Sequence, residues 1–209
     1  MTPEATMRYW LAIAMAIGLG GTAAAQSGLR QPINPSKAEL SIEEQPGYEP
    51  TAEEEDLDPV YKRQMVFFRT TEPAGTVVVY TSQRFLYIVQ GNNRALRYGI
   101  GVGRDGFQWA GLLKISRKAE WPDWTPPAEM IARQPYLPRF MAGGPGNPLG
   151  ARALYLGNTV YRIHGTNQPQ TIGHAVSSGC FRLVNNAVID VYDRVPVGTR
   201  VVVRHAPEL

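Results

Sequence analysis

The chain has 209 residues, 44% of them hydrophobic, with a formal net charge of +3; that length fits one domain with a substantial core and excludes a large multidomain assembly. It contains a single cysteine, which excludes a disulfide framework within the chain. The modest net charge conceals a division: residues 26–59 carry two basic and nine acidic residues (net −7), whereas residues 60–209 carry 18 basic and eight acidic (net +10), an acidic stretch joined to a basic domain.

In residues 1–25, Arg8 precedes an apolar run over 9–19, and small residues follow, ending in Ala23-Ala24-Ala25. This is the layout of a cleavable secretory signal, and its apolar part is short for a bilayer span. The alternative is a retained N-terminal anchor. The mature protein is expected to begin at Gln26 and to be exported, to the periplasm or cell envelope. With no cysteine after the apolar run, no lipid anchor is expected. Nucleic acid is not an expected partner, since export removes it and the basic residues are scattered singly through strand-like segments.

Residues 26–59 are rich in Pro, Glu and Ser and lack any helical or alternating period. Such a segment buries too little apolar surface to offset its ordering entropy, so a disordered acidic tether is expected there. Residues 60–209 then form the domain.

Short β-prone runs open that domain. Residues 76–81 (TVVVYT), 84–90 (RFLYIVQ) and 95–102 predict neighbouring antiparallel strands, with turns at Ser82-Gln83 and Gly91-Asn92-Asn93. Residues 112–116 predict a further strand. From 121 to 148 the pattern breaks, with Trp121, Trp124, Tyr136 and Phe140 among prolines and glycines, which predicts a long ordered excursion, either a lid or a covering for the sheet. Residues 153–156 and 159–164 predict a hairpin through Gly157-Asn158. In its second strand Val160, Arg162 and His164 share one face, and Tyr161 and Ile163 the other. Asn186 is placed to cap a helix to Arg194, and residues 199–204 predict a last strand. The sum is mainly β with one solid helix.

The chemistry concentrates in residues 163–185, IHGTNQPQTIGHAVSSGCFRLVN, which hold the lone Cys180 with His164 and His174. A lone exported cysteine is either a buried, inert residue or a reactive thiol. A metal site at these three residues matches no close-paired ligand spacing and has no carboxylate between 163 and 185, so no metal and no cofactor are expected. Gly101-Val102-Gly103-Arg104-Asp105-Gly106 satisfies a dinucleotide fingerprint, yet residues 107–115 carry no helical cap or period to receive a pyrophosphate, which leaves a glycine-rich strand turn. His205 lies beyond the last strand and is expected to be exposed.

Nucleophilic catalysis remains. Cys180 follows Ser177-Ser178-Gly179, where Gly179 permits close backbone approach, and the amides of Ser178, Gly179 and Cys180 are natural oxyanion donors. A thiol needs a base or a cationic neighbour to become a thiolate. His164 ends a strand and is rigidly placed, whereas His174 sits mid-loop, so His164 is the expected base.

His164-Gly165-Thr166, Ile172-Gly173, Ser177-Ser178-Gly179-Cys180-Phe181-Arg182-Leu183 and Asn185 closely resemble the signature of the L,D-transpeptidases, the YkuD-like family of cell-wall enzymes. The resemblance extends through Asn147-Pro148-Leu149-Gly150 and Val197-Gly198-Thr199-Arg200-Val201. It implies a β-sandwich-like catalytic domain with one or two short helices, Cys180 as nucleophile and His164 as proton acceptor and donor. Gly179 and neighbouring amides, Ser178 among them, would form the oxyanion site. Ser177 would fix the loop by hydrogen bonding, Arg182 would orient the loop or a substrate carboxylate, and Gly165 and Thr166 would complete the substrate loop. Some members carry His where this chain has Ser178, and Phe181 replaces a more usual aliphatic. The implied reaction is acyl transfer on peptidoglycan stem peptides: loss of the terminal D-alanine, then capture by a second stem, a D-amino acid, an outer-membrane protein amine or water. Two further readings stand beside transfer: hydrolysis of the same stems, and a wall-binding module without turnover.

Overall fold

A computed structural model of the chain describes residues 57–207, all within the compact unit Glu39–Leu209. The signal-peptide reading of residues 1–25 and nearly all of the tether reading lie outside the described residues. Asp58 and Pro59, at the end of that tether span, belong to a 3-10 turn, Pro59–Tyr61, whose first N–H groups are capped by the Asp58 carboxylate accepting from Val60 at 2.9 Å.

Eleven strands follow in chain order: β1 (Gln64–Phe67), β2 (Val77–Tyr80), β3 (Phe85–Gly91), β4 (Arg94–Gly99), β5 (Val102–Gly103), β6 (Gly111–Glu120), β7 (Arg152–Leu156), β8 (Arg162–His164), β9 (Ala175–Ser177), β10 (Phe181–Arg182) and β11 (Arg200–Arg204). Two short helices, α1 (Ala128–Arg133) and α2 (Asn185–Arg194), complete the set. The domain is mainly β with two short helices, as the resemblance implies.

Nine strands form one sheet in the order β1-β4-β3-β2-β11-β6-β7-β8-β10, and β5 pairs with β9 separately. The ten-residue β6 joins the two halves of the large sheet. Its first residues pair antiparallel with β11 and its later ones with β7, with a register shift between Ile115 and Arg117. Val77, Leu86 and Val201 from one half and Leu154, Ile163 and Phe181 from the other enter a single buried cluster that α2 closes with Val188 and Val191. Two sheet halves around one core give the sandwich-like character. The opposite face of the first half is covered too, by an aromatic group in which Phe68 stacks on Tyr87 with ring centroids 4.4 Å apart.

Asn92 and Asn93 take φ values of 51° and 55° between β3 and β4, the left-handed pair that a tight hairpin requires and asparagine tolerates. Two predicted boundaries are corrected. The strand expected over 159–164 begins only at Arg162, because the Thr159 hydroxyl donates to the Leu156 carbonyl at 2.7 Å and accepts from the Tyr161 N–H at 3.1 Å, local bonds that compete with a ladder. Helix α2 starts one residue before Asn186, with Val184 at its N-cap and no side-chain cap. Four elements, β1, β9, β10 and α1, are too short or too polar to show a period in the sequence.

Among the described residues no helix is long and apolar enough to cross a membrane.

Candidate active site

Strand β10 lies parallel to β8, with Phe181 level with Ile163 and Arg182 level with His164. Successive side chains of a strand point to opposite faces. Ile163 and Phe181 are buried in the core, so Arg162, His164, Cys180 and Arg182 share the other face, and all four line one cleft of about 440 Å³. The loop carrying the cysteine thus returns beside the strand that carries the histidine, and the register sets thiol and imidazole on one surface.

Residues 121–148 form the other wall. Trp124, Met130, Arg133, Leu137, Met141 and Pro148 line the same cleft, so the excursion roofs the site. Its neck is closed by Trp124 and Met141, whose backbones exchange two hydrogen bonds of 2.8 Å. The buried Asn147 holds the neck to the domain, donating to Met141 and Ala142 carbonyls at 3.2 and 2.9 Å and accepting from the Leu149 N–H at 2.9 Å. Beyond the neck packing is thin: α1 buries no residue, and Tyr136 and Phe140 are exposed.

The imidazole of His164 is buried, and its Nδ1 lies 2.6 Å from the Gly165 carbonyl oxygen. A carbonyl only accepts, so Nδ1 carries the proton and Nε2 is left as the basic atom. Burial drives the imidazole pKa down to about 3, a shift that the Gly165 carbonyl opposes and the Arg182 and Arg162 charges reinforce. The thiol of Cys180, half-buried, donates to the Val160 carbonyl at 3.8 Å. Burial raises its pKa, against the charge and hydrogen bonds of Arg162 and the charge of Arg182. Both shifts favour a neutral thiol and a neutral imidazole at rest.

Glycine is obligatory before the cysteine. Gly179 has φ +105°, and a Cβ there would meet Tyr161 Cε1 at 2.7 Å and the Phe107 carbonyl at 3.1 Å. Its carbonyl accepts from Trp109 Nε1 at 2.8 Å, and Trp109 stacks on Tyr161 with centroids 4.7 Å apart. The Ser177 hydroxyl donates to the Cys180 carbonyl at 2.7 Å and accepts from the Gly179 N–H at 3.2 Å, closing the turn on itself. The Gly179 amide is thereby occupied at rest. Ser178 lines the cleft, and its hydroxyl accepts from Arg104 Nη1 at 3.2 Å.

Thr166 is buried, lines the cleft, and accepts at its hydroxyl from the Gln168 N–H at 3.0 Å. Gly165 and Gly150 leave room for the Asn185 side-chain oxygen, which an added Cβ would meet at 2.4 and 2.3 Å; that oxygen accepts from the Ala151 N–H at 2.8 Å. His174 is exposed and does not line the cleft, and His205 is exposed at the end of β11. Among the described residues no group of three or more His, Cys, Asp or Glu is placed to hold a metal ion.

Arg162 and Arg104 went unassigned from the sequence. The alternation that put Arg162 on the His164 face was the available signal, whereas Arg104 reaches the site only through the pairing of β5 with β9. That pairing also explains the glycine-rich turn: a Cβ on Gly103 would meet the Phe107 carbonyl at 2.5 Å and Gly179 Cα at 3.2 Å, so its glycine serves close packing against the cysteine loop.

Comparison with known proteins agrees with this geometry. Residues 74–203 match the family model described as YkuD, the L,D-transpeptidase catalytic domain. Over 147 residues the chain is 39% identical to the Escherichia coli K12 protein named Probable L,D-transpeptidase YbiS, covering 66% of this chain and 47% of that one. Over 152 residues it is 38% identical to Probable L,D-transpeptidase ErfK/SrfK of the same strain, covering 69% and 48%. The chain thus spans about half the length of these curated relatives. In fold it resembles L,D-transpeptidase 3 from Mycobacterium tuberculosis, with a TM-score of 0.52 at 14% identity over 63% of this chain and 61% of that one. The match over residues 74–203, together with a cysteine loop seated beside a strand-borne histidine, makes this chain a member of the YkuD family of L,D-transpeptidase catalytic domains.

Proposed function

We propose that this chain is an exported, cysteine-dependent peptidoglycan L,D-transpeptidase acting on stem peptides. The observation that carries the reading is the shared face of β8 and β10, where Cys180 and His164 meet in one cleft, in a chain of the L,D-transpeptidase family.

In this reaction His164 Nε2 takes the thiol proton as Sγ attacks the carbonyl of the diamino acid at the third stem position. Negative charge develops on the carbonyl oxygen, and the amides of Cys180 and Ser178 receive it, with Gly179 joining as the Ser177 hydroxyl lets go of its N–H. The imidazolium then protonates the departing nitrogen, D-alanine leaves, and a thioester remains on Cys180. An incoming amine gives its proton to Nε2, attacks the thioester and forms the new amide as thiol is restored. A neutral resting pair suits this cycle, since one nitrogen must accept and donate in turn. Arg182, beside His164 in register, orients the loop or a substrate carboxylate. The acceptor is a second stem, giving a 3→3 cross-link, a D-amino acid, or a protein amine such as that of an outer-membrane protein; water gives hydrolysis. The apolar roof over residues 121–148 supports transfer, because excluding water leaves the thioester to amines.

The test is intact-mass measurement after incubation with a tetrapeptide stem or a carbapenem. A covalent adduct is expected on the wild type and absent from Cys180→Ala. An adduct that survives that substitution, or no adduct at all, overturns the reading. Transfer is separated from hydrolysis by weighing the products, since only transfer yields 3→3 dimers or modified stems.

A further inference from the structure

Tyr61 ends the 3-10 turn near the start of the described chain; it precedes the family-matched residues 74–203 and does not line the cleft. Two glycines on separate segments nevertheless make room for its side chain. A Cβ on Gly99, at the end of β4, would meet Tyr61 Cα at 2.7 Å and Cδ1 at 2.8 Å. One on Gly173, which takes φ +83°, would meet Cε2 at 2.5 Å and the hydroxyl oxygen at 2.6 Å. The ring is thus wedged between the two backbones, with the Phe85 ring beside it at a centroid distance of 5.8 Å. The turn is tied down from two sides, since Arg97 Nη2 donates to the Val60 carbonyl at 3.2 Å and Arg63 pairs with Asp190 at 2.9 Å.

Both glycines belong to the frame that holds the cysteine loop. Gly99 leads into residues 100–104, and each flank of the loop hangs on that segment. Before Cys180, Val102 and Gly103 pair with β9, and the Arg104 N–H donates to the Ser177 carbonyl at 3.0 Å. After it, Gly101 and Arg182 exchange backbone hydrogen bonds of 2.8 and 2.9 Å. Gly173 begins the approach to the loop: its N–H donates to the Ile100 carbonyl at 3.1 Å, and the next carbonyl, of His174, accepts from the Val102 N–H at 3.0 Å. A ring that fills the space between Gly99 and Gly173 sets their separation, because a close-packed interior transmits displacement instead of absorbing it.

We infer that Tyr61 is a positioning residue for acylation at Cys180: it wedges the approach to the cysteine loop against the segment that carries both flanks of that loop. The inference rests on the transpeptidase reading for the chemistry it serves. Tyr61 acts through the backbone, on where the thiol and the loop amides stand relative to His164. Its contribution therefore falls on the rate of acyl-enzyme formation and not on binding, since a displacement of about 1 Å is enough to cost about a hundredfold in rate.

The experiment follows carbapenem acylation of the full chain over a range of concentrations, which gives a limiting rate constant, a half-saturating concentration and, from the amplitude, the fraction of molecules that react. In Tyr61→Gly the limiting rate constant is expected to fall at least about tenfold, with half-saturation changed by less than about twofold. Loss of folded protein would lower the amplitude alone. Tyr61→Phe keeps the ring and is expected to stay close to the wild-type rate. Free p-cresol, which is the tyrosine side chain as a separate molecule, is expected to fill the vacated socket and restore the rate constant of Tyr61→Gly saturably, with no effect on the wild type. Should the glycine variant not fold, Tyr61→Leu decides in its place, with a limiting rate constant expected below that of Tyr61→Phe. The inference is overturned by an undiminished rate constant, by a loss confined to the amplitude, or by a loss that neither Tyr61→Phe nor p-cresol repairs. If the wild type forms an adduct and the variants match it, this inference alone fails; if the wild type forms none, the transpeptidase reading fails.

Discussion

The protonated Nδ1 of His164 donates to the carbonyl oxygen of Gly165, its own neighbour in the chain, at 2.6 Å. In many base-assisted nucleophile sites a third side chain fixes the imidazole; here the backbone does so, and the carbonyl adds no full charge to stabilise an imidazolium. Burial, reinforced by the Arg182 and Arg162 charges and opposed by that carbonyl, keeps the ring neutral, with a pKa of about 3.

A pH profile follows. An unperturbed imidazole titrates near 6.5, so a free histidine base would weaken acylation through that region. With His164 neutral throughout and the thiol proton passing to it during attack, carbapenem acylation measured from pH 5 upward is expected to show no inflection near 6.5 and to stay level below the raised thiol pKa of Cys180. The same shift bears on stability. The folded-state pKa lies below the unfolded one, so between about 6.5 and 3 the unfolded chain binds the extra proton. The contribution is fully present above that window and is lost as pH falls through it, with a limiting slope of about 1.4 kcal/mol per pH unit. Urea unfolding at pH 7, 5.5 and 4.5 measures it, and His164→Asn is expected to flatten the slope.

Gly179→Ala tests the turn before the nucleophile. Its Cβ would lie 2.7 Å from Tyr161 Cε1 at a φ of +105°, and strain of roughly 1–3 kcal/mol is typical for such a position. The Trp109 bond to the Gly179 carbonyl resists relief. The expected outcome is a folded protein whose acylation rate falls by about a hundredfold, a displacement of about 1 Å being enough for that loss. Circular dichroism with stopped-flow acylation checks both halves.

Asn147→Ala tests the roof. The side chain ties Met141, Ala142 and Leu149 together at the neck of the excursion, and its loss leaves the buried Leu149 N–H without its acceptor at a cost of about 1–3 kcal/mol. A looser roof admits water, so the ratio of hydrolysed to transferred stem is expected to rise severalfold while acylation changes less. Product masses at fixed acceptor concentration give the ratio, and an unchanged ratio would assign the excursion to sheet covering alone.

Asp190→Ala tests a cluster remote from the chemistry. The Tyr98 hydroxyl, inside the core, donates to Asp190 Oδ2 at 2.6 Å, while Arg63 and Arg194 each reach Oδ1 at 2.9 Å. The substitution strands a buried hydroxyl and removes the partner of two half-exposed, solvent-screened arginines, for an expected loss of about 1–3 kcal/mol in chemical denaturation. Asp190→Asn is expected to lose less, since its amide oxygen still accepts from Tyr98.

Much of this was legible in the sequence for a physical reason. The strands β2, β3 and β11 are rich in Val, Ile and Tyr between turn residues, and α2 carries its apolar residues at helical spacing, so local chemistry alone predicts them. The proposed nucleophile and base stood out in the sequence because a thiol, an imidazole and a Gly-flanked turn are chemically unusual together, and the family signature adds a specific pattern. Only the tertiary structure decided the rest, because those relations join residues far apart in the chain. The parallel register of β10 on β8 sets Cys180 beside Arg162 and His164, and no local period encodes it. The fit of Asn185 against Gly150 and Gly165, and of Gly103 against Gly179, depends on close approach of separate loops. The residues themselves determined which groups could react; the packing of two strands and one roof determined which of them face one another.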